Sequence, residues 1–136
     1  SLFGALYEHN ILLEGTILKA SMVISAKDCP DQAPVDEVAE ATLRCLKASV
    51  PANLPGIVFL SGGQSDEAAT AHLNAMNTMG PHPWPLSFSY GRAMQSAALK
   101  LWSQDITRNF AAAQTIVAQR ARENGLAALG RWTRAA

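Results

Sequence analysis

Three short, largely apolar runs, residues 11–18, 56–60 and 85–90, each precede a segment with helical spacing. Such runs suit strands buried on both faces in a parallel sheet, because a half-exposed antiparallel strand would alternate apolar with polar residues. The helical segments fit the same scheme. Residues 34–50 open with Pro34 at a helix start, place Val38, Thr42 and Leu46 on one face and stop before Pro51. Ser65 is suited to cap a second helix whose first turn carries Asp66 and Glu67, favourable at the positive end of the helix dipole. Ala69, Leu73 and Met76 follow it at helical spacing. Beyond Gly91 and Arg92, a third stripe is formed by Met94, Ala97, Ala98, Leu101 and Trp102, and a fourth by Phe110, Ala113, Val117 and Ala121.

Strand, helix, strand, helix, strand, helix with right-handed crossovers builds either an open doubly wound sheet or a (β/α) barrel. Three strands leave two edges unpaired, and a whole barrel takes ~250 residues, so this chain supplies less than half of its strands. The expected fold class is α/β: the C-terminal part of a (β/α)8 TIM barrel, with about three βα units plus a C-terminal helix. No Pro/Gly/Ser-rich linker divides the chain, so residues 1–136 read as a single partial domain. The chain starts at Ser1, and residues 2–7 look like the last turns of an amphipathic helix, which reads as truncation at the N-terminus.

Composition narrows the function classes. With 49% hydrophobic and 16% charged residues, the chain has material for a core and too little charge for disorder. Eleven basic and eleven acidic side chains cancel, so no electrostatic footprint points to nucleic acid or to an anionic membrane, and the expected partner is a small molecule. No apolar run approaches the ~20 residues that span a bilayer. Cys29 and Cys45 lack CxxC spacing and a His-rich neighbourhood, so both are expected to be reduced thiols in a cytoplasmic setting, with no metal site.

The carboxyl ends of parallel strands are where such folds place their sites. The first run ends in Thr16-Ile17-Leu18-Lys19. That lysine has two readings. One is a snorkelling side chain that buries its stem and keeps its ammonium wet. The other is a nucleophilic amine, which attacks a carbonyl only where desolvation or neighbouring cations favour its neutral form. The second run ends in Leu60-Ser61-Gly62-Gly63-Gln64-Ser65 before a helix, where glycines let the backbone approach a ligand and successive N–H groups can cradle an anion. The third ends in Ser87-Phe88-Ser89-Tyr90-Gly91-Arg92, combining a hydroxyl, a glycine and a guanidinium that suit a phosphate. Glu14 reads chiefly as a buried, paired carboxylate and only secondarily as an acid or base. His9, His72 and His82 lack metal-ligand spacing, and Trp84, Trp102 and Trp132 read as packing residues.

Several of these stretches match one family in register. Leu13-Glu14-Gly15-Thr16-Ile17-Leu18-Lys19 with Met22-Val23, Phe59-Leu60-Ser61-Gly62-Gly63-Gln64-Ser65, Leu73-Asn74-Ala75-Met76-Asn77, Pro83-Trp84 and Ser87-Phe88-Ser89-Tyr90-Gly91-Arg92-Ala93 resemble class I (Schiff-base) fructose-bisphosphate aldolase in order and spacing. The resemblance runs from about Leu6 to about Gly130.

That resemblance implies that Lys19 is the Schiff-base lysine. It implies that Ser61, Gly62, Gly63, Ser89, Gly91 and Arg92 hold the ketone-side phosphate of fructose 1,6-bisphosphate, aligning the carbonyl with the amine. It further implies glycolytic and gluconeogenic lyase chemistry without metal or other cofactor, and a homotetramer for the full-length protein. The family's Lys-Pro-Asn-Met is here Lys19-Ala20-Ser21-Met22, a change expected to loosen the strand end while keeping the amine. The loop before Trp84 is one residue short, and Ala136 ends the chain without the tyrosine-ending tail of the family. The strands that bring the family's acid/base carboxylate and further phosphate-binding lysines are not in these residues, so the segment alone is expected to be inactive. Two alternatives stand beside this reading: another Schiff-base sugar-phosphate lyase on the same barrel, and a non-catalytic phosphate-binding or scaffold remnant.

Overall fold

A computed structural model describes residues 1–134; the expectation for the chain end at Ala136 lies outside the described residues. The elements are helix α1 (Leu2–Glu8), a 3-10 turn at Leu13–Gly15, strand β1 (Leu18–Ala20), α2 (Val35–Ser49), β2 (Ile57–Phe59), α3 (Asp66–Thr78), β3 (Leu86–Phe88), α4 (Arg92–Trp102) and α5 (Phe110–Ala128). The three strands form one parallel sheet in the order β1-β2-β3. The architecture is the α/β succession expected, three βα units and a closing helix.

Register decides which side chains see the core. Leu18, Ile57 and Leu86 lie on one rung of the ladder, Lys19, Val58 and Ser87 on the next, and Ala20, Phe59 and Phe88 on the third. Successive strand residues point to opposite faces, so the first and third rungs share a face and the middle rung occupies the other. Ile57 and Phe59 are fully buried and Leu86 nearly so, packed in one cluster with Val38, Leu43 and Leu46 of α2 and with Leu73 and Met76 of α3. Emptying such a site, as in Phe59→Ala, costs roughly 3–5 kcal/mol. The rung bearing Lys19 lies on the face away from this core, and Lys19 itself is exposed.

Two helices follow the sequence reading closely. On α2, Val38, Thr42 and Leu46 are all buried, the carbonyl of Pro34 accepts from the Val38 amide at 3.1 Å, and the helix ends before Pro51. On α3, Ser65 caps the first turn by accepting from the Ala68 amide at 3.1 Å, and Ala69, Leu73 and Met76 are 0% exposed.

Three expectations are corrected. Residues 11–18 are not one strand: Gly15 and Thr16 amides donate to the carbonyls of Leu12 and Leu13, curling the chain into a turn, and the strand begins only at Leu18. Glu14 and Gly15 break the apolar run, and the turn takes the backbone bonds a ladder would have used. Lys19 consequently stands at the centre of β1 instead of beyond its end. Second, the strand end is not loosened at Ala20, which pairs with Phe59 and accepts from the Leu60 amide at 3.0 Å. Third, the stripes after Gly91 form the two helices expected but are only partly buried. On α4 only Ala93 and Ala98 are buried, while Ala97 and Trp102 are exposed. On α5 the buried residues are Ala113, Arg120, Asn124 and Ala127, whereas Phe110 and Val117 are exposed and line, with Leu99 and Trp102, an open apolar groove of about 420 Å³.

Among the described residues no helix is long and apolar enough to cross a membrane. Cys29 and Cys45 are both free thiols. Of the tryptophans, Trp84 is 3% exposed and donates its indole N–H to the Pro51 carbonyl at 2.8 Å, in keeping with a packing role.

Candidate active site

The strand ends bring the predicted site loops side by side. The Leu60 amide donates to the Ala20 carbonyl at 3.0 Å and the Ser89 amide to the Phe59 carbonyl at 2.8 Å, so the ladder continues one residue past each strand. Ser61-Gly62-Gly63 and Tyr90-Gly91-Arg92 therefore leave the sheet next to each other. Lys19 and Ser87 flank Val58 on the uncovered face, two strand spacings or about 10 Å apart. The lysine lies level with Val58, two residues before the neighbouring loop begins at Leu60.

The loop after β2 is a tight turn. The Gln64 amide donates to the Ser61 carbonyl at 2.8 Å, Ser61 is 5% exposed, and Gly62 and Gly63 have φ of 52° and 92°. Both values lie where side-chain-bearing residues are strained, so the Gly-Gly pair is required by conformation here. The turn is pinned from behind. The His72 ring, mostly buried on α3, shares a hydrogen bond between Nδ1 and Gln64 Oε1, while Gln64 Nε2 donates to Met22 Sδ at 3.6 Å. An amide oxygen only accepts, so Nδ1 carries the proton. Burial lowers the pKa of His72 and so favours the neutral ring. A cleft of about 430 Å³ runs along the turn, lined by Ser25, Lys27, Gly62, Gly63, Ser65 and His72 among others.

The loop after β3 is built differently. Gly91 has φ −89°, a value open to any residue, and nothing would meet a Cβ there within 4 Å. It stands at the cap of α4 with no side chain to offer the helix amides, and Arg92 begins the helix as an exposed cation. By contrast, α3 is already capped by Ser65 and carries Asp66 and Glu67 in its first turn. The opening of α4 is accordingly better suited to an anion than that of α3.

Glu14 is exposed rather than buried. It accepts from Asn53 Nδ2 at 2.8 Å, and this bond, with a lesser backbone one, holds its carboxyl below the usual carboxylate range. It acts as a tie between the turn before β1 and the loop before β2. His9 caps the end of α1, and His82 Nε2 bonds the Met76 carbonyl at 2.7 Å. Among the described residues, no three His, Cys, Asp or Glu side chains come together as a metal site.

Three residues that position the loops carried no signal in the sequence. Tyr90 is buried between the loop after β3 and α3, where its hydroxyl donates to the Ala69 carbonyl at 2.7 Å. His72 holds the turn after β2 through Gln64, and Arg120 reaches both helix starts from α5. Each contact joins positions distant in sequence, or a side chain whose type is common on surfaces. Only the pattern G-G-Q followed by a histidine nearly two helical turns into α3 could have hinted at the second of them.

Parallel strands in sequential order, helices packed on one face and glycine-bearing loops at the carboxyl ends together define a segment of a (β/α)8 barrel of the enzyme kind, which builds its site at that end. A family model described as "Glycolytic: Fructose-bisphosphate aldolase class-I" matches residues 1–136. The chain belongs to the class I fructose-bisphosphate aldolase family. It is 73% identical over 132 residues to a probable fructose-bisphosphate aldolase class 1 of Xanthomonas campestris pv. campestris, covering 97% of this chain and 40% of that protein. It is 52% identical to fructose-bisphosphate aldolase 1 of Toxoplasma gondii over 97% of this chain and 36% of that one. A solved structure of fructose-bisphosphate aldolase from Plasmodium falciparum, in complex with TRAP and a small-molecule inhibitor, matches with a TM-score of 0.93 and 45% identity over 98% of this chain and 38% of its own. The chain thus spans well under half the length of these relatives.

Proposed function

We propose that the protein carrying this segment is a fructose-bisphosphate aldolase that cleaves fructose 1,6-bisphosphate reversibly to dihydroxyacetone phosphate and glyceraldehyde 3-phosphate through a Schiff base on Lys19. The amine adds to the ketone and loses water to give an iminium. Loss of the proton from the C4 hydroxyl then breaks the C3–C4 bond, the electron pair passing to the iminium nitrogen as an enamine. Glyceraldehyde 3-phosphate leaves, the enamine is protonated at C3, and hydrolysis returns dihydroxyacetone phosphate and the free amine. The covalent iminium is the electron sink, so the mechanism draws on neither metal nor other cofactor.

One observation carries this reading: Lys19 stands on the exposed sheet face, one residue before the strand end, beside the two loops that can hold an anion. Ser61, Gly62, Gly63, Ser89, Gly91 and Arg92 grip the ketone-side phosphate and hold the carbonyl against the amine, as positional catalysis requires. Closure of the barrel turns that face inward and supplies the desolvation an attacking amine needs. Free thiols at Cys29 and Cys45 suit a cytoplasmic location, and the full-length protein is read as a homotetramer acting on sugar phosphates.

Borohydride reduction in the presence of dihydroxyacetone phosphate tests the mechanism on the full-length protein. The adduct is expected on the peptide containing Lys19, and Lys19→Ala is expected to lose both labelling and cleavage. Label on another lysine, or cleavage undiminished in Lys19→Ala, would sink the proposal.

A further inference from the structure

Helices α3 and α4 lead out of the two loops assigned to the phosphate, and one side chain from α5 ties their first turns together. Arg120 is 8% exposed. Its Nε donates to the Ala93 carbonyl at 2.9 Å, and its Nη2 donates to the Asp66 carbonyl at 2.7 Å and to Thr70 Oγ1 at 2.8 Å. The remaining arm, Nη1, pairs with Glu123. Asp66 opens α3 directly after Ser65, and Ala93 follows Arg92. One planar guanidinium, its donors fixed in a fork, therefore spans the roots of both loops. Its acceptors are themselves held: Thr70 Oγ1 donates to Asn124 Oδ1 at 2.8 Å, and Asn124 Nδ2 donates to the Arg120 carbonyl at 2.9 Å.

A buried arginine is a poor choice if stability alone is at stake. Desolvation opposes it, an apolar side chain of similar volume often packs at least as well, and positive charge at the start of two helices runs against their dipoles. What the guanidinium supplies, and leucine cannot, is a set distance between main-chain carbonyls on two different helices. We propose that Arg120 is a positioning residue for the phosphate pocket: it sets the separation of the loops after β2 and β3 and so aligns Arg92 with the Gly62-Gly63 turn. This rests on the reading of those loops as the ketone-side phosphate site.

The test compares Arg120→Lys, Arg92→Ala and the double variant in the full-length protein, by cleavage kinetics and by competitive inhibition with inorganic phosphate. Lysine keeps the charge but loses the fork. Arg120→Lys is expected to raise KM and the phosphate inhibition constant about tenfold, with kcat reduced less than about threefold. Because Arg120 acts by placing Arg92, the double variant is expected to bind no more weakly than Arg92→Ala alone. A merely structural role predicts a lower melting temperature with unchanged KM, or an effect fully additive with Arg92→Ala, and either result overturns the proposal. If Arg120→Lys does not fold, Thr70→Val, which removes one acceptor and leaves the guanidinium, is expected to raise KM about twofold; an unchanged KM counts against the idea. Arg92→Ala without effect overturns the phosphate pocket itself, whereas an effect there with none at position 120 overturns only the positioning role.

Discussion

The Tyr90 hydroxyl donates a 2.7 Å hydrogen bond to the main-chain carbonyl of Ala69, joining the loop after β3 to the helix that follows β2. Both residues are buried, and burial pushes the Tyr90 phenol far above the usual tyrosine range against a smaller opposing influence of Arg120. The hydroxyl therefore remains a donor throughout the range in which the protein would operate. The loop after β3 is thus tied through a side chain to the helix that leaves the loop after β2, independently of any ligand.

Tyr90→Phe isolates that link, because the ring and its packing against Phe88, 5.5 Å away between centroids, are kept while the donor is lost. The change is expected to lower stability by about 1 kcal/mol and to raise KM for the bisphosphate about threefold. Thermal melts and initial rates on the full-length protein measure both. A loss of stability with KM unmoved would mean that the bond serves packing only.

The glycines of the site divide by conformation. Gly62→Ala and Gly63→Ala place a side chain at φ of 52° and 92°, and at Gly62 the new Cβ would also meet Leu60 Cδ1 at 3.3 Å. Each is expected to cost about 1–2 kcal/mol and to open the turn that carries the amides. Gly91→Ala, at φ −89° with open space for a Cβ, is expected to leave the melting temperature unchanged and to affect only KM. Equal destabilisation by all three substitutions would contradict this division.

How much of this was legible in the sequence depends on where each residue's partners come from. Val38, Thr42 and Leu46, and Ser65 with Asp66 and Glu67, announce their helices because spacing and capping are local properties. The strand from residue 11 was misread because Ile11, Leu12 and Leu13 look like strand residues until Gly15 and Thr16 donate back to Leu12 and Leu13. The helix at α5 is legible from its spacing, but its buried face is not, for the opposite reason. Arg120 and Asn124 are buried by acceptors on α3 and α4 that no window of α5 contains, while Phe110 and Val117, the apolar candidates, are exposed. Lys19, Gly62, Gly63 and Arg92 could be singled out as residues of interest from their places at strand ends, but the bonds through Gln64, Tyr90 and Arg120 that arrange the loops are tertiary and leave no periodic trace.

Arg92 is exposed at the first position of α4, where Gly91 leaves the helix amides uncapped by a side chain. Its removal should cost little in folding, since no packing depends on it. Arg92→Ala is expected to raise KM for fructose 1,6-bisphosphate by about ten- to a hundredfold, as befits a charge-assisted bond to phosphate, with a smaller fall in kcat from poorer carbonyl alignment. Steady-state kinetics decide it: a variant with both constants unchanged removes Arg92 from the phosphate site.

His72, buried behind the Gly62-Gly63 turn, makes the stability of the fold depend on pH. Burial lowers its pKa from the ordinary value of 6.5, so in acid the unfolded chain binds a proton that the folded one resists. Stability is then fully present above pH 6.5, falls as pH drops through that value, and levels off again once the pH is below the folded pKa. His72→Gln offers an amide that can still reach Gln64 but cannot titrate in this range. Melting temperatures measured from pH 7.5 down to about pH 5 should therefore fall less in His72→Gln than in the parent protein. Parallel curves for the two proteins would show that burial of the ring does not couple its protonation to folding.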